Sequence, residues 1–197
     1  MAALYQLGDD VAFERCLPDT LKEEGPVPNN LADPRNYSND PHDRGGATMD
    51  GIIQREYDRW RIARGLPTRW VAKIAPDEVR TIYRDDYWLP HCPKLLAGLD
   101  LCLFDTNVNN GVHAGMILLQ RALGGVSVDG IFGDETASAV LRLKIDAKAL
   151  HLAIARFYQV RRAYYLSLAD ARYFGKDWLR RDLDIEQEAF ALAAKAA

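Results

Sequence analysis

The chain has 197 residues, 48% of them hydrophobic, enough for one generous domain or two small ones. Its 25 Lys and Arg against 28 Asp and Glu give a net charge of −3, which argues against nucleic acid as the main partner, since no basic surface dominates. Three cysteines without a C-x-x-C pair, Cys16, Cys92 and Cys102, do not make a disulfide framework or a zinc site. The charge is uneven. Residues 1–60 carry twelve acidic and six basic side chains, whereas residues 141–181 carry ten Lys or Arg against three Asp. The basic stretch reads either as a solvated helix face or as an attraction to an anionic polymer or membrane surface. No apolar run reaches the length of a membrane span, and the first ten residues lack the basic and apolar regions of a secretory signal. The expectation is a protein folded in the cytoplasm, with buried thiols and no stable membrane insertion.

Taken in order, Phe13, Cys16, Leu17 and Leu21 fall at helical spacing. They predict a helix over 11–24, kinked or restarted at Pro18 and stopped by Gly25. Glu24 then stands at the mouth of a long loop dense in turn formers. Residues 26–35 hold little that could form a core, so this segment is expected to run over the surface. Gly45-Gly46 permits a tight turn between Asp43 and Thr48, and any short strands should fall within 26–51. Thr48 is expected to cap a second helix with the apolar stripe Ile52, Ile53, Tyr57 and Trp60, ended by Gly65 and Pro67.

Pro76 starts the next helix. Asp77 and Glu78 in its first turn complement the helix dipole, and Val79, Ile82, Tyr83 and Tyr87 form its stripe. Its aromatics are read as core or, at Tyr87 and Trp88, as flat faces for a sugar ring. Leu95 to Phe104 is almost continuously apolar and predicts a buried central helix running into a polar loop, Asp105 to Gly111. There Asp105 and Asn109 either satisfy loop backbone or, at Asn109, bind substrate. A helical hairpin follows over 115–141, with Asp134 capping its second helix. A long helix over 144–169 and an Ala-rich final helix complete the chain.

Nucleotide-binding loops, the serine-nucleophile elbow and the H-E-x-x-H pair are all missing from the sequence. Four scattered His residues make no metal pattern, and the acids do not follow the spacing of a calcium loop. Neither metal nor cofactor is expected. What the sequence does offer is a carboxyl on a rigid helix end, Glu24, with Asp43 and Thr48 across a loop. That set suits hydrolysis of a glycosidic bond. One group protonates the leaving oxygen, and another positions water or stabilises the cationic sugar.

The flanking residues carry a resemblance. Phe13-Glu14-Arg15-Cys16-Leu17, Leu21-Lys22-Glu23-Glu24-Gly25, Tyr37-Ser38-Asn39-Asp40-Pro41, Gly45-Gly46-Ala47-Thr48 and Gly51-Ile52 resemble glycoside hydrolase family 108. These are the N-acetylmuramidases found as phage endolysins and secretion-associated muramidases. Ile82-Tyr83 with Tyr87-Trp88, and Phe104-Asp105 with Val108, Asn109 and Gly111, are similar to later blocks of that family. Leu118 to Gly124 with Val128-Asp129-Gly130-Ile131-Phe132-Gly133 resembles a peptidoglycan-binding repeat.

The resemblance implies a mainly α, lysozyme-like helical fold with a long active-site loop between the first two helices. It implies a catalytic region over 1–106 and a peptidoglycan-binding-like region over 107–197. Glu24 would be the catalytic acid, with Asp43 and Thr48 beside it. Tyr37, Asn39, Asp40, Tyr87, Trp88 and Asn109 would bind the glycan strands of peptidoglycan. Pro26 stands where the family has a second Gly, and about ten extra residues separate Glu24 from Asn39-Asp40-Pro41. Asp33 therefore has the family's spacing from Glu24, but only Asp43 is followed by Gly-Gly-Ala-Thr. Asp43 is taken as the second carboxylate, and Asp33 is expected to point to solvent. The implied enzyme acts on the periplasmic wall after holin- or secretion-assisted release. The alternatives are a non-catalytic wall-binding component and a lytic transglycosylase.

Overall fold

The structure, a computed structural model, describes residues 2–22, 24, 27, 30–39 and 46–196, with residues 2–9 described in backbone only. Among them are eight α-helices and one small sheet, the mainly α, lysozyme-like architecture expected. The chain divides into two compact units. One comprises Met1–Cys16 with Tyr87–Ala197, and the other Leu17–Asp86.

The first helix, α1 (Ala2–Leu21), carries Pro18 inside it and ends where Glu24 N–H donates to the Leu21 carbonyl at 3.1 Å. Strand β1 (Tyr37–Ser38) pairs antiparallel with β2 (Thr48–Met49), and β2 with β3 (Ile52–Ile53), in the order β1-β2-β3. Thr48 faces Ile53 and Met49 faces Ile52 across the β2–β3 pair. The expected helix start at Thr48 is therefore corrected. Residues 48–53 form a hairpin, and α2 begins only afterwards, at Gln54–Ala63. The physical reason lies in Asp50-Gly51. Both residues have positive φ, 49° and 74°, as a two-residue type I′ hairpin turn requires, and Asp-Gly is a favoured sequence for it. Ile52 and Ile53 alternate buried and half-buried as strand residues do.

After α2 come a 3-10 turn at Val71–Lys73 and α3 (Pro76–Ile82), with Pro76 at the first helical position as predicted. The chain runs on as a π-helical turn, Tyr83–Trp88. In the Leu17–Asp86 unit the core is Leu17, Leu21, Met49, Ile52, Tyr57, Trp60, Val71, Ile74, Val79, Ile82 and Tyr83. Glu78 ties several of its parts together. Its carboxylate accepts from Ala75 N–H at 2.9 Å, Tyr57 OH at 2.7 Å, Arg61 Nη1 at 2.5 Å and Arg69. Glu78 thus does more than complement the dipole. It anchors the loop from α2 to α3, which Arg61 holds further by donating to the Pro67 carbonyl at 2.6 Å.

The other unit is a helical bundle of α4 (Leu99–Asn110), α5 (Val112–Leu123), α6 (Asp134–Leu143), α7 (Ala147–Ser167) and α8 (Ala171–Ala196). Helix α4 is buried on all sides, as its composition predicts, from Leu99 to Asn107. Its range is shifted. Residues 95–98 precede it, and the expected polar loop 105–110 is helical up to a break at Gly111, whose φ is 85°. A buried ion cluster is what draws these polar residues into the helix. Asp105, fully buried, accepts from Arg161 Nη1 of α7 at 2.6 Å and from Arg181 Nη2 of α8 at 2.7 Å. Burial alone would push the Asp105 carboxyl up, but Arg181 and Arg161 outweigh it and hold it below the usual range. In the 115–141 hairpin, Gln120 of α5 grips the turn by accepting from the N–H groups of Asp129 and Gly130 at 3.0 and 2.9 Å. Asp134 is the first residue of α6, not its cap, and Gly133 holds the cap position.

Candidate functional site

The Leu17–Asp86 unit builds a polar site on the tip of the β2–β3 hairpin. Glu24, half-buried, follows the end of α1 and reaches the turn. A Cβ placed on Gly51 would lie 2.7 Å from Glu24 Oε2 and 2.9 Å from the hydroxyl oxygen of Tyr83. The absence of a side chain at Gly51 is thus what admits the Glu24 carboxyl to the turn. Tyr83, itself buried, donates from its hydroxyl to the Asp50 carbonyl at 2.7 Å. A turn with two positive φ values, a carboxyl and a phenol therefore meet at one point.

Asp50, the first residue of the turn, is 2% exposed. Its carboxylate accepts from Ala32 N–H and from Asn36 Nδ2, each at 2.6 Å. Burial pushes the Asp50 carboxyl up, and these two hydrogen bonds pull it down less strongly. Asn36, also buried, exchanges hydrogen bonds with the Val27 backbone at 2.9 and 3.1 Å. Asp33 is buried as well, at 8% exposure. It accepts from Arg35 N–H and Nε at 2.9 Å and from Asn30 Nδ2 at 2.8 Å. The expectation that Asp33 points to solvent is corrected: it caps the 3-10 turn Pro34–Asn36. The described part of the extra segment is likewise no idle surface loop. It is fastened to the hairpin through Asp50. The sequence reading missed Asp50, although Asp-Gly between two short runs rich in strand-forming residues is a strong short-range hairpin signal.

Thr48 lies on β2, half-buried, with its hydroxyl donating to the Gly46 carbonyl at 3.1 Å. Tyr37 is half-buried on β1, and Asn39 just beyond it is exposed. Asp40 and Asp43 lie outside the described residues, as does Glu23. Three substrate-binding expectations fall in the other unit. Trp88 is a core residue, with no exposed surface. Its ring packs edge-on to Phe104 at 5.4 Å and tilted to Phe13 at 5.8 Å. The structure thus settles its two readings for core, and no ring face is left for a sugar. Tyr87 is half-buried, and its carbonyl accepts from Asn107 Nδ2 at 2.8 Å. Asn109 is on α4, not in a loop, and donates to the Tyr165 hydroxyl at 2.5 Å. That hydroxyl also accepts from Arg161 Nε at 2.9 Å, so Asn109 joins the rim of the buried ion cluster. Among the described residues no group of His, Cys, Asp and Glu is arranged to hold a metal.

The fold is mainly α and lysozyme-like. Residues 17–111 match the glycosyl hydrolase 108 family, which supports a glycoside hydrolase, and residues 114–190 match a predicted peptidoglycan domain. The two matches together support a peptidoglycan-related hydrolase. Among solved structures it is similar to SagA of Brucella abortus, at 26% identity and a TM-score of 0.76, over 93% of this chain and 97% of that one. Among curated proteins none matches the chain. No helix among the described residues is long and apolar enough to cross a membrane.

Proposed function

We propose that the chain is an N-acetylmuramidase that hydrolyses the β-1,4 bond between N-acetylmuramic acid and N-acetylglucosamine, in the manner of a phage or prophage endolysin. The observation that carries this reading is the Glu24 carboxyl packed on the Gly51 turn beside the Tyr83 hydroxyl, inside the region that matches the hydrolase family. Glu24 is the general acid, delivering its proton to the leaving glycosidic oxygen. Asp43 supports the oxocarbenium-like transition state or orients water, and the Thr48 hydroxyl, which donates to the Gly46 carbonyl, helps to place that water. Tyr37, Asn39 and Asp40 contact the strand. The enzyme acts as a monomer on the wall after release from the cytoplasm.

Digestion of purified peptidoglycan tests the assignment. New reducing ends on N-acetylmuramic acid are the expected product. A 1,6-anhydro product, lighter by one water, would identify a transglycosylase instead, and retention of the protein on intact walls without sugar release would identify a binding module.

A further inference from the structure

Trp70 is 55% exposed, yet it stands on a rigid support. Gln54, the first residue of α2, donates from Nε2 to the Arg69 carbonyl at 2.9 Å and accepts from Val71 N–H at 2.7 Å. The peptide units on both sides of Trp70 are therefore fixed by one side chain. Arg69 is pinned in turn, donating from Nε to the Tyr57 hydroxyl at 2.8 Å and pairing with Glu78. Val71 is fully buried. With its neighbours held inward, the indole of Trp70 is presented outward, its flat face open to a ligand.

Beside it lies a hollow of about 300 Å³ lined by Ala47, Gln54, Asp58, Thr68, Arg69 and Trp70. Asp58 accepts from Gln54 through Oδ1 at 3.0 Å, and among the described residues its other oxygen has no hydrogen-bond partner. An aromatic face, a half-buried carboxylate oxygen and a hydroxyl around an open hollow match a pyranose ring. The ring's C–H face packs on the indole, and its hydroxyls donate to the carboxylate. The position also fits. Ala47 immediately precedes Thr48 on β2, and Gln54 N–H donates to the Ala47 carbonyl at 2.9 Å. The hollow thus sits at the open end of the hairpin whose turn meets Glu24. At the rise of an extended strand, Ala47 and Asp50 are roughly 10 Å apart, a span that a short run of sugar rings covers.

We propose that this hollow is a sugar subsite away from the cleaved bond, with Trp70 as the stacking platform and Asp58 as the hydroxyl acceptor, so that a glycan strand lies along the hairpin. The subsite rests on the muramidase reading above. Short peptide-free glycan strands prepared from peptidoglycan are titrated by calorimetry into the full chain carrying Glu24→Gln, with and without a second change. Adding Trp70→Ala should weaken binding about tenfold, and Trp70→Tyr should restore most of it. Adding Asp58→Ala should weaken binding several-fold. If the parental protein hydrolyses walls but Trp70→Ala binds the strands as tightly as its reference, the subsite is wrong and the muramidase reading stands. If the parental protein releases no sugar and the Glu24→Gln protein binds no strand, the muramidase reading falls and the subsite with it.

Discussion

The Glu24 carboxylate occupies the space that a side chain on Gly51 would need: a Cβ there would stand 2.7 Å from Oε2. Two constraints coincide at this glycine, because its φ of 74° also disfavours any L side chain. Gly51→Ala should therefore act on the site and on the turn at once. It should displace the carboxyl and lower stability by about 1–2 kcal/mol through turn strain. Glu24→Gln, which keeps the shape but cannot donate a proton, separates the two effects. It should leave the melting temperature near the parental value and reduce wall lysis on the order of 10²–10⁴-fold. Equal lysis by the Gln variant would remove Glu24 from the mechanism.

Asp50 anchors the chain between Val27 and Asn36 to the hairpin. Replacing it with Ala leaves Ala32 N–H and one Asn36 donor without an acceptor, and a buried donor so stranded costs about 1–3 kcal/mol. Deleting residues 26–35 should be more damaging, since it removes Asn30, Ala32 and Asp33 from the same network. Chemical denaturation of both variants checks this. Parental stability in the deletion variant would show that the Asp50 bonds contribute nothing net.

The hairpin at 48–53 was hidden by an ambiguity of pattern. Ile52, Ile53, Tyr57 and Trp60 fit a helical stripe, so the pattern of apolar residues did not distinguish a hairpin followed by a helix from one longer helix. The distinction rests on backbone sign at Asp50 and Gly51, which only the dipeptide signals. The burial of Asp33 is not legible because the donors that surround its carboxylate, Arg35 and Asn30, are polar neighbours that look like solvated loop. By contrast α4 was legible from its almost continuous apolar run, and Pro76 from its place before two acids. Asp105 was not, because its partners Arg161 and Arg181 are 56 and 76 residues away.

Two buried carboxyls give a pH dependence with a definite sign. Burial pushes Asp100 up to about 6 against the pull of Arg15, and burial likewise pushes Asp182 up to about 6 against Arg161. Both are at most 3% exposed. An acid whose folded pKa is raised binds more protons folded than unfolded between the ordinary 3.8 and about 6. Stability from these two groups is therefore greatest below that window and declines as pH rises through it. Asp100→Asn keeps the oxygen that accepts from the Gly98 and Leu101 N–H groups at 2.8 Å while removing the titration. Denaturation at several pH values should show a shallower decline for this variant than for the parent. An unchanged slope would mean that Asp100 titrates in its ordinary range.

Asp33 and Asp43 can now be told apart by what each loss would do. The Asp33 carboxylate is spent on structure: it holds Arg35 and Asn30 and caps the turn Pro34–Asn36. Hydrogen bonds from Arg35 hold its pKa well below the usual carboxylate range. A lowered folded pKa supplies stability above the ordinary 3.8, and that stability is lost as pH falls further, towards the folded value. Asp33→Asn should therefore lower the melting temperature at neutral pH, by an amount that shrinks in acid. Wall lysis should persist below the new melting point. Asp43→Asn should do the opposite, preserving the melting temperature and suppressing lysis, because Asp43 is the carboxyl proposed to support the sugar cation. Lysis rates and melting curves of the two variants, measured side by side, decide it. Loss of lysis in a fully folded Asp33→Asn protein, with activity retained in Asp43→Asn, would transfer the catalytic role to Asp33 and leave Thr48 without its assigned partner.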